Sequence, residues 1–303
     1  MAKPQDRTAA PASALLTSSI TSETAGPGRV ERHLAGFLVR TFLFRRRRAP
    51  PRPVPSDLVH EEVRFAGNTG ARIAGRWFPL DRARGVVVLA HPDRRYGQHW
   101  FVREGWIAWL RGHGFAALTF DFSQYGDSRG GSTYLFEDLV GACAEARRRA
   151  RGLPLHVVGL SIGAFSAANA SPLVEAESLV LESPYPSFNS WYEGDGHRFG
   201  KAAMRAFDAA FPRTAALIQA DERIRGAQAR RILVAATSDD EVTPVELSRR
   251  VARAAPAGRT SYLELAGSRH LALFQDMRYR DAVLATLTGR APAAAHATAP
   301  SPS

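Results

Sequence analysis

From Glu61 onward, short apolar or period-two runs alternate along the chain with longer runs of helical period. The runs "EEVRFA" and "ARIAGRWFP" flank the turn "GNTG", a pattern that predicts an antiparallel hairpin at one edge of a sheet. "GVVVLA" is apolar throughout, as expected of a strand covered on both faces. In "HWFVREGWIAWLRGHG", Trp100, Trp106, Ile107 and Leu110 recur near helical spacing and the run stops at glycine, which predicts one helix with an aromatic stripe in the core. "FAALTFD" reads as the next strand, "FEDLVGACAEARRRARG" as a helix, "PLHVVGL" as a strand and "IGAFSAANA" as a helix. "ESLVLES", "RRILVAAT" and "SYLELA" supply three more strands, each with helical sequence beside it. This alternation predicts an α/β fold with a doubly wound, mostly parallel sheet. The segment "NSWYEGDGHRFGKAAMRAFDAAFP" reads as a small helical cap spanning about residues 184–228.

The pattern sets residues 57–290 apart as the folded domain and leaves 1–56 and 291–303 outside it. The opening segment, to about Gly28, is rich in Ser, Thr, Ala and Pro and has no apolar core behind its basic residues, so it reads as a disordered tail rather than a signal peptide. "HLAGFLVRTFLFRRRR", residues 33–48, is an apolar stretch broken by Arg40 and closed by Arg45 to Arg48. It is well short of the ~20 residues that span a bilayer. The readings are an interfacial helix whose arginines meet anionic lipid, or a short helix packed on the domain or a solvated charge run. The proline-rich "APPRPVPSD" links this arm to the body, and 291–303 reads as a second disordered tail.

The net charge of +11 raises the question of a nucleic-acid partner. Residues 1–56 hold ten Lys and Arg against three Asp and Glu, which leaves the remainder at 30 against 26, close to balance. No interleaving of basic and aromatic residues accompanies the charge, so no nucleic-acid partner is expected. The single cysteine, Cys143, cannot form an internal disulfide, and no Cys/His cluster has zinc-ligand spacing. A reducing, cytoplasmic setting follows, free or held peripherally at a membrane through residues 33–48, with no metal and no cofactor expected. Nothing in the sequence specifies an oligomeric state.

The chemistry centres on "HVVGLSIGAFSAAN", where Ser161 stands between Gly159 and Gly163 at the junction of a strand and a helix. In a parallel sheet, reacting groups gather at the carboxyl ends of strands. A sharp strand-to-helix turn there exposes the serine hydroxyl, and the glycines remove side chains that would collide with main chain. The N–H of Ile162, opening the helix, can face a developing oxyanion. A serine needs a base, and the base needs a partner that fixes its tautomer. "RRILVAAT" ends at "SDDEVTP" and "SYLELA" ends at "GSRH", which nominates Asp240 as the acid and His270 as the base, with Asp239 the rival one residue away. The alternative for His270 is a surface histidine that opens the helix "LALFQDMRYR". Tyr185, Phe188, Trp191, Tyr192 and His197, in or beside the cap, either line a substrate pocket or pack the cap on the sheet.

With these residues in place, the chain resembles the α/β-hydrolase superfamily from about Leu58 to Leu287. "VVLAHP" is similar to the strand and turn that start its oxyanion loop, "FDFSQYGDSRGG" to its D-x-x-x-x-G-x-S segment, and "GLSIG" to its nucleophile elbow. "SDDEVTP" and "GSRH" resemble its acid and histidine loops. The approach "PSDLVHEEVRFAGNTGARIAGRWFP" further resembles the Bem46-like branch of serine hydrolases. The family usually has glycine after the loop histidine, whereas His91 here is followed by Pro92, which has no N–H to donate. Asp93 becomes the second oxyanion donor beside Ile162, provided its carboxylate turns away or pairs with Arg94 or Arg95. His91 reads as a structural hydrogen-bonder, and Asp121, Asp127 and Ser128 as groups that satisfy loop backbone.

The resemblance implies a serine hydrolase that cleaves a small-molecule carboxylic ester or thioester through an acyl-enzyme. An acyltransferase using the same triad, or a non-catalytic binding protein on a hydrolase fold, are the alternatives.

Overall fold

The apolar runs form eight strands: β1 (Glu61–Ala66), β2 (Arg72–Phe78), β3 (Gly85–Ala90), β4 (Phe115–Phe120), β5 (Leu155–Leu160), β6 (Ser178–Glu182), β7 (Arg231–Thr237) and β8 (Thr260–Leu265). The structure, a computed structural model, describes residues 34–35, 53–67, 70–94, 97–123, 125–130, 134–194 and 198–290. The strands join one sheet in the order β1-β2-β4-β3-β5-β6-β7-β8. β1 pairs antiparallel with β2, as the hairpin pattern predicts, and β2 also pairs antiparallel with β4. Every later pairing is parallel.

β3, β4, β5 and β6 are buried at every residue, which is why their sequences show no polar alternation. Their side chains still alternate between two cores. Val86, Val88 and Ala90 of β3 face a core with α3 (Leu135–Arg149), α4 (Ile162–Ala170) and the buried residues of α9 (Val245–Ala254). Val87 and Leu89 face the opposite core, built on α1 (His99–Arg103), α2 (Trp106–Gly112) and α10 (Met277–Thr288). The sheet is therefore doubly wound and mostly parallel. Between β6 and β7 the chain forms α5 (Phe188–Gly194), α6 (Arg198–Ala210), α7 (Pro212–Leu217) and α8 (Ala220–Arg223), within the stretch read as the cap.

Two helix boundaries differ from expectation. The single helix expected over "HWFVREGWIAWLRGHG" is two helices, because Gly105 adopts a left-handed conformation (φ 83°) that ends α1 before α2 begins. The aromatic stripe survives the break: Trp106, Ile107 and Leu110 are fully buried, and Trp106 stacks on Phe274 with centroids 4.2 Å apart. Each such side chain contributes roughly 1.5–3 kcal/mol on burial. His270 does not open a helix either. The residues after it form a loop and a short 3-10 turn, and α10 starts only at Met277, where the Asp276 side chain accepts the Arg278 N–H at 2.8 Å. A capping aspartate sets a helix start more firmly than an apolar run does.

No helix among the described residues is long and apolar enough to cross a membrane. Of the arm at 33–48 only Leu34 and Ala35 are described, the first exposed and the second fully buried with the main core cluster. The rest of the arm, the opening segment and 291–303 lie outside the described residues, as do His197 and Arg95.

Candidate active site

The parallel strands deliver their carboxyl ends to one rim of the sheet. Registered pairs Ala90 with Gly159, Leu160 with Glu182, and Thr237 with Leu265 place the loops after β3, β5, β6, β7 and β8 side by side there. Ser161 follows β5 in a turn with φ 54° and ψ −115°, a region that costs a non-glycine residue of order 1–3 kcal/mol. Its N–H donates to the Glu182 carbonyl at 2.8 Å, which ties the turn to β6. The flanking glycines are sterically required: a Cβ on Gly163 would lie 2.0 Å from the Ala90 carbonyl oxygen, and one on Gly159 would lie 2.5 Å from the Gly163 carbonyl oxygen.

The structure brings Ser161, His270 and Asp240 together. His270 Nδ1 lies 2.8 Å from Asp240 Oδ2, and His270 Nε2 lies 3.1 Å from Ser161 Oγ. With Asp240 ionised, Nδ1 carries the proton and donates it, so Nε2 is left to accept from the serine hydroxyl. Asp240 is buried and fully used: Oδ1 accepts the N–H groups of Val242 at 2.9 Å and Thr243 at 2.6 Å, and Oδ2 also accepts the Ser183 hydroxyl at 2.8 Å. Burial alone would raise its pKa. The hydrogen bond and charge of His270, the Thr243 N–H and the Ser183 hydroxyl outweigh it, and the carboxyl sits below its ordinary value.

Asp239 does not meet the histidine. It is exposed, and its carboxylate accepts the Gly267 N–H at 2.5 Å, which braces the loop leading to His270. Glu241 braces the same loop by accepting the His270 N–H at 3.1 Å.

Ile162 opens α4, so its N–H belongs to the first turn, which has no intrahelical acceptor. Ile162 and Asp93 both border the cavity onto which Ser161 opens. Asp93 Oδ1 accepts the Tyr125 hydroxyl at 2.7 Å, a contact that gives the carboxylate noted beside the oxyanion position a fixed partner. His91 is fully buried, with Nδ1 2.8 Å from the Pro92 carbonyl and Nε2 accepting the Phe122 N–H at 3.2 Å. Burial drives its pKa down against the opposing pull of Asp121, so it stays neutral and shapes the loop. Asp121 accepts the Gln98 N–H at 2.8 Å, and the Ser128 hydroxyl donates to the Asp121 carbonyl and accepts the Ala74 N–H.

The cavity beside Ser161 has a volume of about 260 Å³. Tyr185, Phe188, Trp191 and Tyr192 line it and also pack on one another, with Tyr185 stacked on Phe165 of α4. These four aromatics thus border the cavity and pack on one another at the same time.

Two functional candidates had no motif to mark them. Ser183, directly after β6, holds a left-handed conformation (φ 50°) while its hydroxyl reaches Asp240. Ser183→Ala is expected to lower kcat by several-fold to about tenfold, the loss of one hydrogen bond to a charged group. Ser183→Gly should lose as much activity yet unfold at a higher temperature than the alanine variant, because glycine tolerates positive φ and alanine does not. Steady-state rates and thermal unfolding of both variants check this, and full activity in either would remove Ser183 from the site.

Glu182, the last residue of β6, is the second. Burial pushes its carboxyl up to about 7, with Asp240 adding to the rise and the Tyr279 hydroxyl and Leu273 N–H opposing it. Neither carboxyl oxygen of Glu182 nor the Tyr279 hydroxyl beside it makes a hydrogen bond of good geometry. The folded chain therefore keeps a proton that the unfolded chain has lost between the ordinary value of 4.5 and about 7. Stability falls as pH rises through that window, by about 3 kcal/mol for this group, and stays lower above it. Asp138, raised to about 7 by burial, contributes in the same direction. Glu182→Gln should reduce the drop in unfolding temperature between pH 5 and pH 8. An unchanged drop would show that Glu182 ionises normally.

No family model matches the sequence, and no curated protein sequence matches it. Solved structures do match. Esterase Pf2001 from Pyrococcus furiosus superposes with a TM-score of 0.64 at 19% identity, over 80% of this chain and 98% of that one. Puromycin hydrolase superposes with a TM-score of 0.62 at 18% identity, over 80% of this chain and 42% of that one. A protein described as a predicted CIB-like hydrolase, from Thermoplasma acidophilum, gives 0.54 at 15% identity, over 76% and 99%. With the strand order above, these matches establish the α/β-hydrolase fold.

Proposed function

We propose that this chain is a serine hydrolase that cleaves a carboxylic ester or thioester through an acyl-enzyme. The observation that carries the reading is the unbroken run of contacts from Ser161 Oγ through both nitrogens of His270 to Asp240, at 3.1 and 2.8 Å, opening on a cavity. The likeness in fold to proteins named esterase and hydrolase supports it, and the approach sequence from Pro55 to Pro79 favours the Bem46-like branch.

In this reading Ser161 Oγ attacks the carbonyl carbon while its proton passes to His270 Nε2. Asp240, held ionised by its four donors, keeps the imidazole in the required tautomer and stabilises the imidazolium. The carbonyl oxygen gains charge in front of the Ile162 and Asp93 N–H groups, each oxyanion donor being worth about 3 kcal/mol. Collapse of the tetrahedral intermediate expels the alcohol or thiol, which takes the proton from His270. Water then gives its proton to His270 and its oxygen to the acyl carbon, and Ser161 leaves with the proton restored.

A panel of p-nitrophenyl esters and acyl thioesters tests the reading. Turnover with release of free acid is expected; recovery of an acylated alcohol in place of the acid would instead identify an acyltransferase, and no reaction with any member would contradict catalysis of this class.

A further inference from the structure

The cavity beside Ser161 combines a small volume with a wall that is fixed in place, and the two together bear on which acyl groups can react. A volume of about 260 Å³ falls below the range usual for sites that enclose drug-sized ligands. An apolar cavity of about 150 Å³ accepts one benzene ring, so this one holds roughly one ring or a chain of a few carbons together with the reacting carbonyl.

The wall cannot yield easily. Tyr185 lies between Phe165 and Trp191, with centroids 4.8 Å and 6.0 Å away and interplanar angles of 8° and 26°. Phe165 is buried in α4, the helix that starts at the nucleophile, so the stack rests on the elbow itself. At its outer end the Trp191 indole N–H donates to the Val242 carbonyl at 3.1 Å, and the Val242 N–H in turn donates to Asp240 Oδ1. The indole is therefore held both by ring stacking and by a hydrogen bond to the loop that carries the acid. Displacing it to admit a longer chain would break that bond and pull on the acid loop.

Chemistry assigns the two sides of the cavity. The aromatic side offers no ionised group, whereas Asp93 and Arg94 border the side formed by the loop after β3. The acyl group stays attached to Ser161 after the first step, while the leaving group must exit and be replaced by water. The aromatic side, lined by rings and free of carboxylate and guanidinium groups, suits the group that stays.

We infer that the enzyme acts on esters or thioesters of small, uncharged acyl groups, either short chains or a single aromatic ring, and that Trp191 sets the upper limit of size. This rests on the acyl-enzyme reading given above. The limit is built by stacking and one hydrogen bond, so a variant at Trp191 should move it while Ser161, His270 and Asp240 stay in place, at some cost in kcat from the lost bond to Val242.

The test is a series of p-nitrophenyl esters with straight acyl chains of two to twelve carbons, plus the benzoate, measured on the full chain and on Trp191→Ala and Trp191→Phe. Each preparation is also labelled with a fluorophosphonate to count competent Ser161. For the unaltered chain, kcat/KM should be highest at two to four carbons, remain high for benzoyl, and fall at least about tenfold by eight carbons, in line with the cost of a few methylenes that a pocket cannot accommodate. Trp191→Ala should bring the eight-carbon ester within a few-fold of the four-carbon one, with kcat lowered alike for both esters by the lost bond to Val242 and labelling retained. Trp191→Phe, which keeps a ring but loses the donor to Val242, should keep the short-chain preference with a lower kcat. A flat profile or a preference for eight or more carbons in the unaltered chain would overturn the size limit, even with full labelling of Ser161. Loss of labelling together with loss of all turnover in the unaltered chain would strike the acyl-enzyme reading instead.

Discussion

Replacing Ser161 by alanine should lower turnover of a reactive ester by at least about 10³-fold and leave the unfolding temperature almost unchanged. The first half follows from the removal of the hydroxyl that attacks in the proposed mechanism: it stands 3.1 Å from His270 Nε2 and opens on the cavity. What remains is the binding and oxyanion stabilisation that any attacking water can exploit, a residue of catalysis that such sites keep after losing a nucleophile. The second half follows from the backbone. Alanine at φ 54° bears the same strain as serine, the N–H donated to the Glu182 carbonyl is retained, and the hydroxyl's one listener, His270, can turn to water. A serine that merely terminates β5 would show the reverse pattern, with rates intact. Rates and thermal unfolding on one preparation separate the two.

The neighbouring aspartates give the second large effect. Asp240→Asn should reduce kcat by about 10³ to 10⁴-fold, whereas Asp239→Asn should cost no more than a few-fold. The Asp240 carboxylate accepts from four donors, two on each oxygen. An amide has one oxygen and one NH2, so whichever way it turns, its NH2 faces donors. Facing Val242 and Thr243, it loses two backbone hydrogen bonds. Facing His270, it selects the tautomer with the proton on Nε2, which cannot accept from Ser161. Some loss of stability should therefore accompany the loss of rate, since a buried unpaired donor costs about 1–3 kcal/mol. Asp239 faces outward and braces Gly267, a task an asparagine oxygen performs nearly as well. A larger loss for Asp239→Asn than for Asp240→Asn would move the acid by one residue and leave the reaction class standing.

That pair also illustrates what a sequence can express. The strands were legible because a sheet covered on both faces demands apolar residues at every position, as in "GVVVLA", and the elbow was legible because Gly159 and Gly163 have steric reasons that admit no other residue. Asp239 and Asp240 follow β7 in the same polar loop, and which carboxylate turns inward is decided by the Val242 and Thr243 N–H groups, a three-dimensional matter. The break at Gly105 was masked by an aromatic stripe that runs on through it with almost helical spacing. Ser183 and Glu182 carry no motif; their significance comes from β6 lying beside both β5 and β7, which places them against the elbow and the acid loop. The cap aromatics were legible as a group, but the stack of Tyr185 on Phe165, which seats them on α4, joins residues on different elements.

The central claim is that Ser161 becomes acylated, and trapping it covalently tests this most directly. The full chain is treated with a fluorophosphonate, its intact mass is measured, and the modified residue is located by peptide sequencing. One adduct per chain on Ser161, formed at a rate that drops sharply in Asp240→Asn and is absent in Ser161→Ala, is the expected result. Stoichiometric modification of a different residue, or no modification of a folded chain that nonetheless hydrolyses esters, would contradict the account.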